Sequence, residues 1–159
     1  MVIEIKLDDL DKGIIAGLVD NCKTQSKDLS RKLRIHPNTL LQRLKRLESL
    51  GVIMKYTAIV DYAKIDKGLQ VLVFLNVRMS EGWEEQIKPL SRFPEVVSFS
   101  LLTGDYDAVM VARIRDESHL ASFLRKLQAN RAVARTTTHL VVDNYKNAHE
   151  YNPLWCEYR

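Results

Sequence analysis

The stretch RIHPNTLLQRLKRLES, residues 34–49, holds the side chains best suited to reading another molecule. At about 100° per residue, Asn38, Gln42, Lys45 and Ser49 cluster on one side of a helix, opposite Leu40, Leu44 and Leu47. Thr39 and Arg46 sit on one shoulder, and Arg43 lies at the boundary, where a long side chain reaches past the edge. Asn, Gln and Arg make paired hydrogen bonds to the edges of adenine and guanine. An isolated helix with such a face reads as merely solvated. This face, however, has no acidic residue until Glu48, whereas solvated helices mix signs to gain i,i+4 pairs.

A second candidate is Thr103-Gly104-Asp105-Tyr106-Asp107. Gly104 permits a positive φ and leaves backbone N–H groups approachable by a carboxylate. Asp105 and Asp107 would attract an ammonium group, and Tyr106 would wall a pocket. Ordinary hairpin chemistry explains the same Gly-Asp pair. Thr136 and Thr138 share a strand face and are candidates to line the same pocket, although strand propensity explains them equally well. His119, His139 and His149 share no metal-ligand spacing, and Cys22 and Cys156 fit neither a metal nor a redox motif. We expect no catalytic residues, no metal and no cofactor.

The elements that carry these residues fall into two groups. Leu7, Leu10, Ile14 and Leu18 recur at helical steps, with Asp8, Asp9 and Asp11 at the end where the helix dipole favours carboxylates. A shorter helix begins with Ser26 as N-cap and carries Leu29 and Leu33. The third spans Pro37–Leu50, with proline in the first turn and Gly51 ending it. Helix, four-residue connection and basic helix make a helix-turn-helix whose leucines form a small core and whose far side enters a major groove. Thr24, Gln25, Ser26 and Lys27 are candidates to position the unit on phosphates. Val52–Val60 reads as a strand.

Beyond the hinge-like DYAKIDKGLQ the pattern becomes strand Val71–Met79, helix Trp83–Phe93, strand Val96–Leu102, strand Ala108–Ile114, helix Glu117–Ala129 and strand Arg135–Asp143. That βαββαβ order is ferredoxin-like. The expected class is α+β: a (winged) helix-turn-helix domain over 1–54, a strand and hinge over 55–69, a βαββαβ dimerisation domain over 70–146, and a tail over 147–159. Several strands are apolar on both faces. Two helices cover one face, so a second copy is the expected cover for the other.

Charge agrees with this division. Up to Val60 there are eleven Lys/Arg and seven Asp/Glu, whereas the remainder holds thirteen of each. Lys23–Arg46 has eight basic residues against Asp28 alone. A polyanion-binding module is thus joined to a neutral partner. The chain has neither a membrane-length apolar run nor a secretory pattern at its start, so a cytoplasmic location is expected. The tail EYNPLWCEYR is too apolar for a free end and is expected to pack on its own or a neighbouring subunit.

In this order the chain resembles the leucine-responsive regulatory protein (Lrp)/AsnC family of transcription regulators. The motifs that carry the resemblance begin with Leu7-Asp8-Asp9-Leu10-Asp11-Lys12-Gly13-Ile14. They continue with Pro37, Arg43, Leu44, Leu47-Glu48 and Gly51-Val52-Ile53, then the turn Thr103–Asp107 and the strand Arg135–His139. The resemblance implies a DNA-binding domain, a dimerising ligand-sensing domain, assembly of dimers up to octamers, and small effectors, commonly amino acids, bound where sensing domains meet. Two departures stand out. His36 replaces the family's usual serine before the proline, and Arg34 stands where the inter-helix turn often has glycine. An altered turn follows, with His36 or Arg34 available for phosphate contact. The competing readings are an enzyme like the sirohaem decarboxylases, which share the two-domain plan but carry histidines near the turn, and a DNA-organising protein with no effector.

Overall fold

The computed structural model describes residues 5–147 and 150–154. The chain divides into two compact units: Met1–Ile59 together with Lys146–Arg159, and Val60–Tyr145. Among the described residues, no helix is long and apolar enough to cross a membrane.

The first unit contains α1 (Asp9–Asp20), α2 (Ser26–Lys32) and α3 (Pro37–Ser49). Asp8 caps α1 and exchanges hydrogen bonds with Asp11 in a reciprocal capping box, so two otherwise unpaired N–H groups find acceptors. Ile14, Leu29, Leu40 and Leu47 are fully buried at the centre, with Leu7, Leu10, Leu18, Leu33 and Leu44 packed around them. Gly17 explains how α2 approaches α1: a Cβ there would lie 2.7 Å from Leu29 Cδ1. The chain also contributes from its far end. Asn152, buried, donates through Nδ2 to the Ala16 carbonyl at 3.1 Å and to Asp20 Oδ1 at 3.0 Å. The tail therefore adds a second donor to a carbonyl near the end of α1 and ties itself to that helix. Its Trp155, Cys156 and Tyr158, like His149, lie outside the described residues.

The second unit is a four-stranded antiparallel sheet, β1 (Leu69–Val77), β2 (Val96–Leu101), β3 (Ala108–Ile114) and β4 (Val133–Leu140), in spatial order β2-β3-β1-β4. Helices α4 (Trp83–Ile87) and α5 (Glu117–Gln128) follow β1 and β3. The result is the expected ferredoxin-like βαββαβ sequence. Val71, Val73, Leu75, Met110, Ala112 and Ile114 pack with Ile87, Leu90, Phe123 and Leu127 as the core. Strand alternation sends Leu72, Phe74, Val109 and Val111 to the opposite face, where they remain half-buried.

Several expected boundaries are corrected. Gln25, not Ser26, is the N-cap of α2, and it makes no side-chain cap bond. Residues 52–60 join no ladder among the described residues, so the expected strand over Val52–Val60 is not formed within the single chain. A strand exists only through a neighbour's N–H and C=O groups, and apolar β-branched composition cannot supply one. The helix expected over Trp83–Phe93 stops at Ile87 and continues as a 3-10 turn over Lys88–Arg92, because Pro89 lacks an N–H and its ring crowds the carbonyl four residues back. Strand β4 begins at Val133, two residues early, where the pairing shifts register between Asn76 and Val77.

Candidate nucleic-acid interface and effector turn

Helices α2 and α3 meet through a connection set by helix-ending geometry. Arg34 adopts φ 54°. The Ile35 N–H donates to Ser30 O at 2.9 Å and the Arg34 N–H to Arg31 O at 3.1 Å, the paired bonds of a Schellman ending. Arg34 occupies the position where glycine is cheapest, as the sequence suggested. The same ending recurs at α3 with Gly51 at φ 70°, where Val52 N–H reaches Leu47 O at 3.0 Å. His36 is the N-cap of α3, its Nδ1 accepting from the Asn38 N–H at 3.2 Å. That ring nitrogen takes the role serine would fill, leaving His36 exposed with its ring at the helix start.

The arginines of α3 point elsewhere. Arg46 Nη1 donates to Asp11 Oδ2 at 2.6 Å, and Arg43 Nη1 to Asp11 Oδ1 at 3.0 Å and to Asp8. The Asp11 side chain is 1% exposed. One buried carboxylate on α1 thus clamps two guanidiniums on α3. The Asp11 N–H and then the Arg43 guanidinium hold the Asp8 carboxyl below the usual carboxylate range, while hydrogen bonds to Asp8 and then Asp11 raise Arg43. Arg46 Nη2 also donates to the Lys6 carbonyl at 3.3 Å.

With those arginines engaged, the outward surface of α3 consists of Asn38, Gln42, Lys45 and Ser49, all exposed, with half-buried Thr39 beside them. At the start of α2, Gln25, Ser26 and Lys27 are exposed and Thr24 is half-buried. The end of α3 is tied to the following segment by Tyr56 Oη, which donates to Glu48 Oε1 at 2.9 Å. Burial first, and then that bond to a carboxylate, raises the Tyr56 pKa. Sequence reasoning missed the Asp11 clamp. Its signal was present in Asp8 and Asp11, which with Asp9 were read only as partners of the helix dipole.

The turn between β2 and β3 is tightly anchored. Gly104 has φ 110°. Asp107 donates its N–H to Leu75 O at 3.0 Å, and its Oδ2 accepts from the Val77 N–H at 2.7 Å, replacing a strand carbonyl. Asn76 Nδ2 donates to the Asp105 carbonyl at 2.8 Å. The Asp105 side chain and Thr103 are exposed. Tyr106 lies against Phe74, ring centroids 4.9 Å apart, and so belongs to the sheet face away from the helices.

Thr136 and Thr138 do not join it. They pair with Leu75 and Val73 and lie on the helix-covered face, whereas Thr137 and His139 pair with Phe74 and Leu72 on the Tyr106 face. His139 meets Phe74 edge-on at 5.6 Å. Alternation in the strand showed both pairs of residues; only the register with β1 decides which face each takes.

A helix-turn-helix with a polar outward face, joined to a ferredoxin-like sensing unit, defines a two-domain DNA-binding regulator. Comparison with known proteins agrees. Residues 7–54 match the winged helix-turn-helix DNA-binding description, and residues 71–151 match the Lrp/AsnC ligand binding domain. The HTH-type transcriptional regulator FL11 of Pyrococcus horikoshii is 31% identical over 149 residues, covering 93% of this chain and 97% of that protein. The transcriptional regulator AzlB of Bacillus subtilis is 30% identical, covering 89% of this chain and 92% of its own. Among solved structures, the regulator NMB0573 of Neisseria meningitidis, in complex with L-Met, has a TM-score of 0.89 at 26% identity, covering 95% of this chain and 99% of that one. The chain belongs to the Lrp/AsnC family of transcription regulators: it binds DNA through its first unit and carries a domain for a small effector in its second.

Proposed function

We propose that Asn38, Gln42 and Lys45 enter a major groove and read base edges, while Arg43 and Arg46 fix the angle of α3 on α1. The observation that carries this reading is the division of labour on one helix, with two guanidiniums turned onto Asp11 and three polar side chains left outward. Thr24, Gln25, Ser26, Lys27 and His36 supply phosphate contacts that hold the register. Two copies, joined through the apolar sheet face of Leu72, Phe74, Val109 and Val111, present two such helices to half-sites about 34 Å apart. Dimers of this kind assemble further into a tetramer of dimers.

The effector in this reading is an amino acid. Exposed Asp105 and the backbone of Thr103–Asp107 offer opposite charges to its two ends, and Tyr106 offers an apolar wall. NMB0573, whose structure holds L-Met, supports this class of ligand. Thermal unfolding of the protein with each of the twenty amino acids in turn tests it. The bound one at 100 times its Kd adds about 2.7 kcal/mol of stability. Loss of that increment in Asp105→Ala assigns the turn, whereas an unaltered increment removes it.

A further inference from the structure

The first turn of α3 is closed by a side chain that can change its charge. Pro37 has no N–H, so the first backbone donor of the helix is that of Asn38, and it reaches Nδ1 of His36 at 3.2 Å. An N–H donor requires a bare acceptor, so Nδ1 is unprotonated and the ring carries its proton on Nε2. The cap therefore exists only while His36 is neutral. A second proton turns Nδ1 into a donor facing a donor, and sets a cation against the positive end of the helix dipole. A serine cap has no such dependence.

Among the described residues, no ion pair joins His36 to a carboxylate that would offset the added charge. Helix α3 has no acidic residue in its first turn, and its Glu48, in the last, is bound by Tyr56. On α2, Asp28 is paired with Arg31 at 3.4 Å; the other charges there, Lys27 and Lys32, are positive, as is Arg34 in the turn. At the start of α1, Asp8 and Asp11 are taken by Arg43 and Arg46. Further along α1, Asp20 accepts from Asn152, and Asp9 and Lys12 are the remaining charges.

We infer, resting on the reading of bases by Asn38, that His36 is a positioning residue for it and that acid uncaps α3 at the turn where Asn38 sits. Imidazole ordinarily changes charge between about pH 5 and 8, whereas the amides and ammonium groups on the outward face do not. An uncapped turn must be ordered before Asn38 meets a base edge, and that cost falls on the specific complex alone. A complex held by phosphates does not need the turn. The imidazolium itself attracts phosphate, so overall DNA affinity is maintained while discrimination falls.

The test compares the full-length parent, His36→Ser and Asn38→Ala on a selected operator and a scrambled duplex, at about pH 8 and about pH 5.5 and one salt concentration. In the parent, the ratio of the two affinities is expected to fall by about three- to tenfold at the lower pH, the range of a lost N-cap. His36→Ser, folded by the criterion of a retained Tm, is expected to keep its ratio at both. The other histidines are common to the two proteins, so a change they cause appears in both. A parent ratio equal at the two pH values, or an equal fall in His36→Ser, overturns the proton-sensitive cap. Full discrimination by Asn38→Ala near pH 8 overturns base reading by Asn38, and the positioning role with it. Lost discrimination in Asn38→Ala beside a pH-independent parent overturns the cap alone.

Discussion

Arg46 on the third helix donates to the carboxylate of Asp11 on the first at 2.6 Å, and Asp11 is buried. A buried carboxylate is tolerated only when cations or N–H groups satisfy it, and here Arg43 completes the arrangement. The pair makes helix orientation, and so the direction of Asn38 and Gln42, depend on a charge one helix away.

Asp11→Ala is expected to lower stability by about 2–3 kcal/mol, since two guanidiniums lose the acceptor that holds them. Urea unfolding followed by circular dichroism measures this. DNA affinity is expected to fall on every sequence alike, because the helix loses its angle and not its reading groups. A selective loss on one operator would mean the arginines read bases.

Arg34 holds φ 54° at the α2–α3 turn, and a left-handed conformation costs a residue with a Cβ about 1 kcal/mol. Arg34→Gly is therefore expected to raise stability by roughly 0.5–1 kcal/mol in thermal unfolding. Reduced stability would show that the Arg34 side chain makes a contact worth more than the backbone strain.

Glu95 gives the protein an acid-sensitive point. Burial raises its pKa, but the His119 hydrogen bond at 3.1 Å, a backbone bond and Lys126 at 3.2 Å together outweigh burial and leave it lowered. Because His119 Nδ1 accepts from the Arg115 N–H, its Nε2 carries the proton donated to Glu95. A depressed carboxylate pKa contributes stability above its unfolded value, about 4.3, and loses it as pH falls through the lower folded value. Glu95→Gln is expected to cost about 1–3 kcal/mol at neutral pH, with the deficit shrinking on acidification. A deficit independent of pH would assign the loss to packing alone.

Asn152→Ala removes two hydrogen bonds at the end of α1 and is expected to cost about 1–2 kcal/mol of stability. An unchanged Tm would mean the tail leaves α1 in solution.

What the sequence revealed followed from local rules. Leucine spacing, Pro37 and Gly51 placed α3 to within a residue, and apolar alternation defined four strands because each pattern reflects a periodicity of the backbone itself. Residues 52–60 misled because their composition favours a strand, whereas a strand depends on a partner. Arg43 and Arg46 were read from their helix alone, and only packing against α1 revealed Asp11. Thr136 and Thr138 were assigned to the wrong neighbourhood because alternation gives two faces and does not name them.

The most direct test of the account concerns what α3 reads. Operators are selected from a random DNA pool, and binding of the parent, Asn38→Ala and Gln42→Ala proteins is then compared on the selected and a scrambled duplex. The account predicts that each variant loses about 1–3 kcal/mol of discrimination between the two duplexes while its Tm is retained. Undiminished discrimination in both variants would contradict it and return base reading to the arginines.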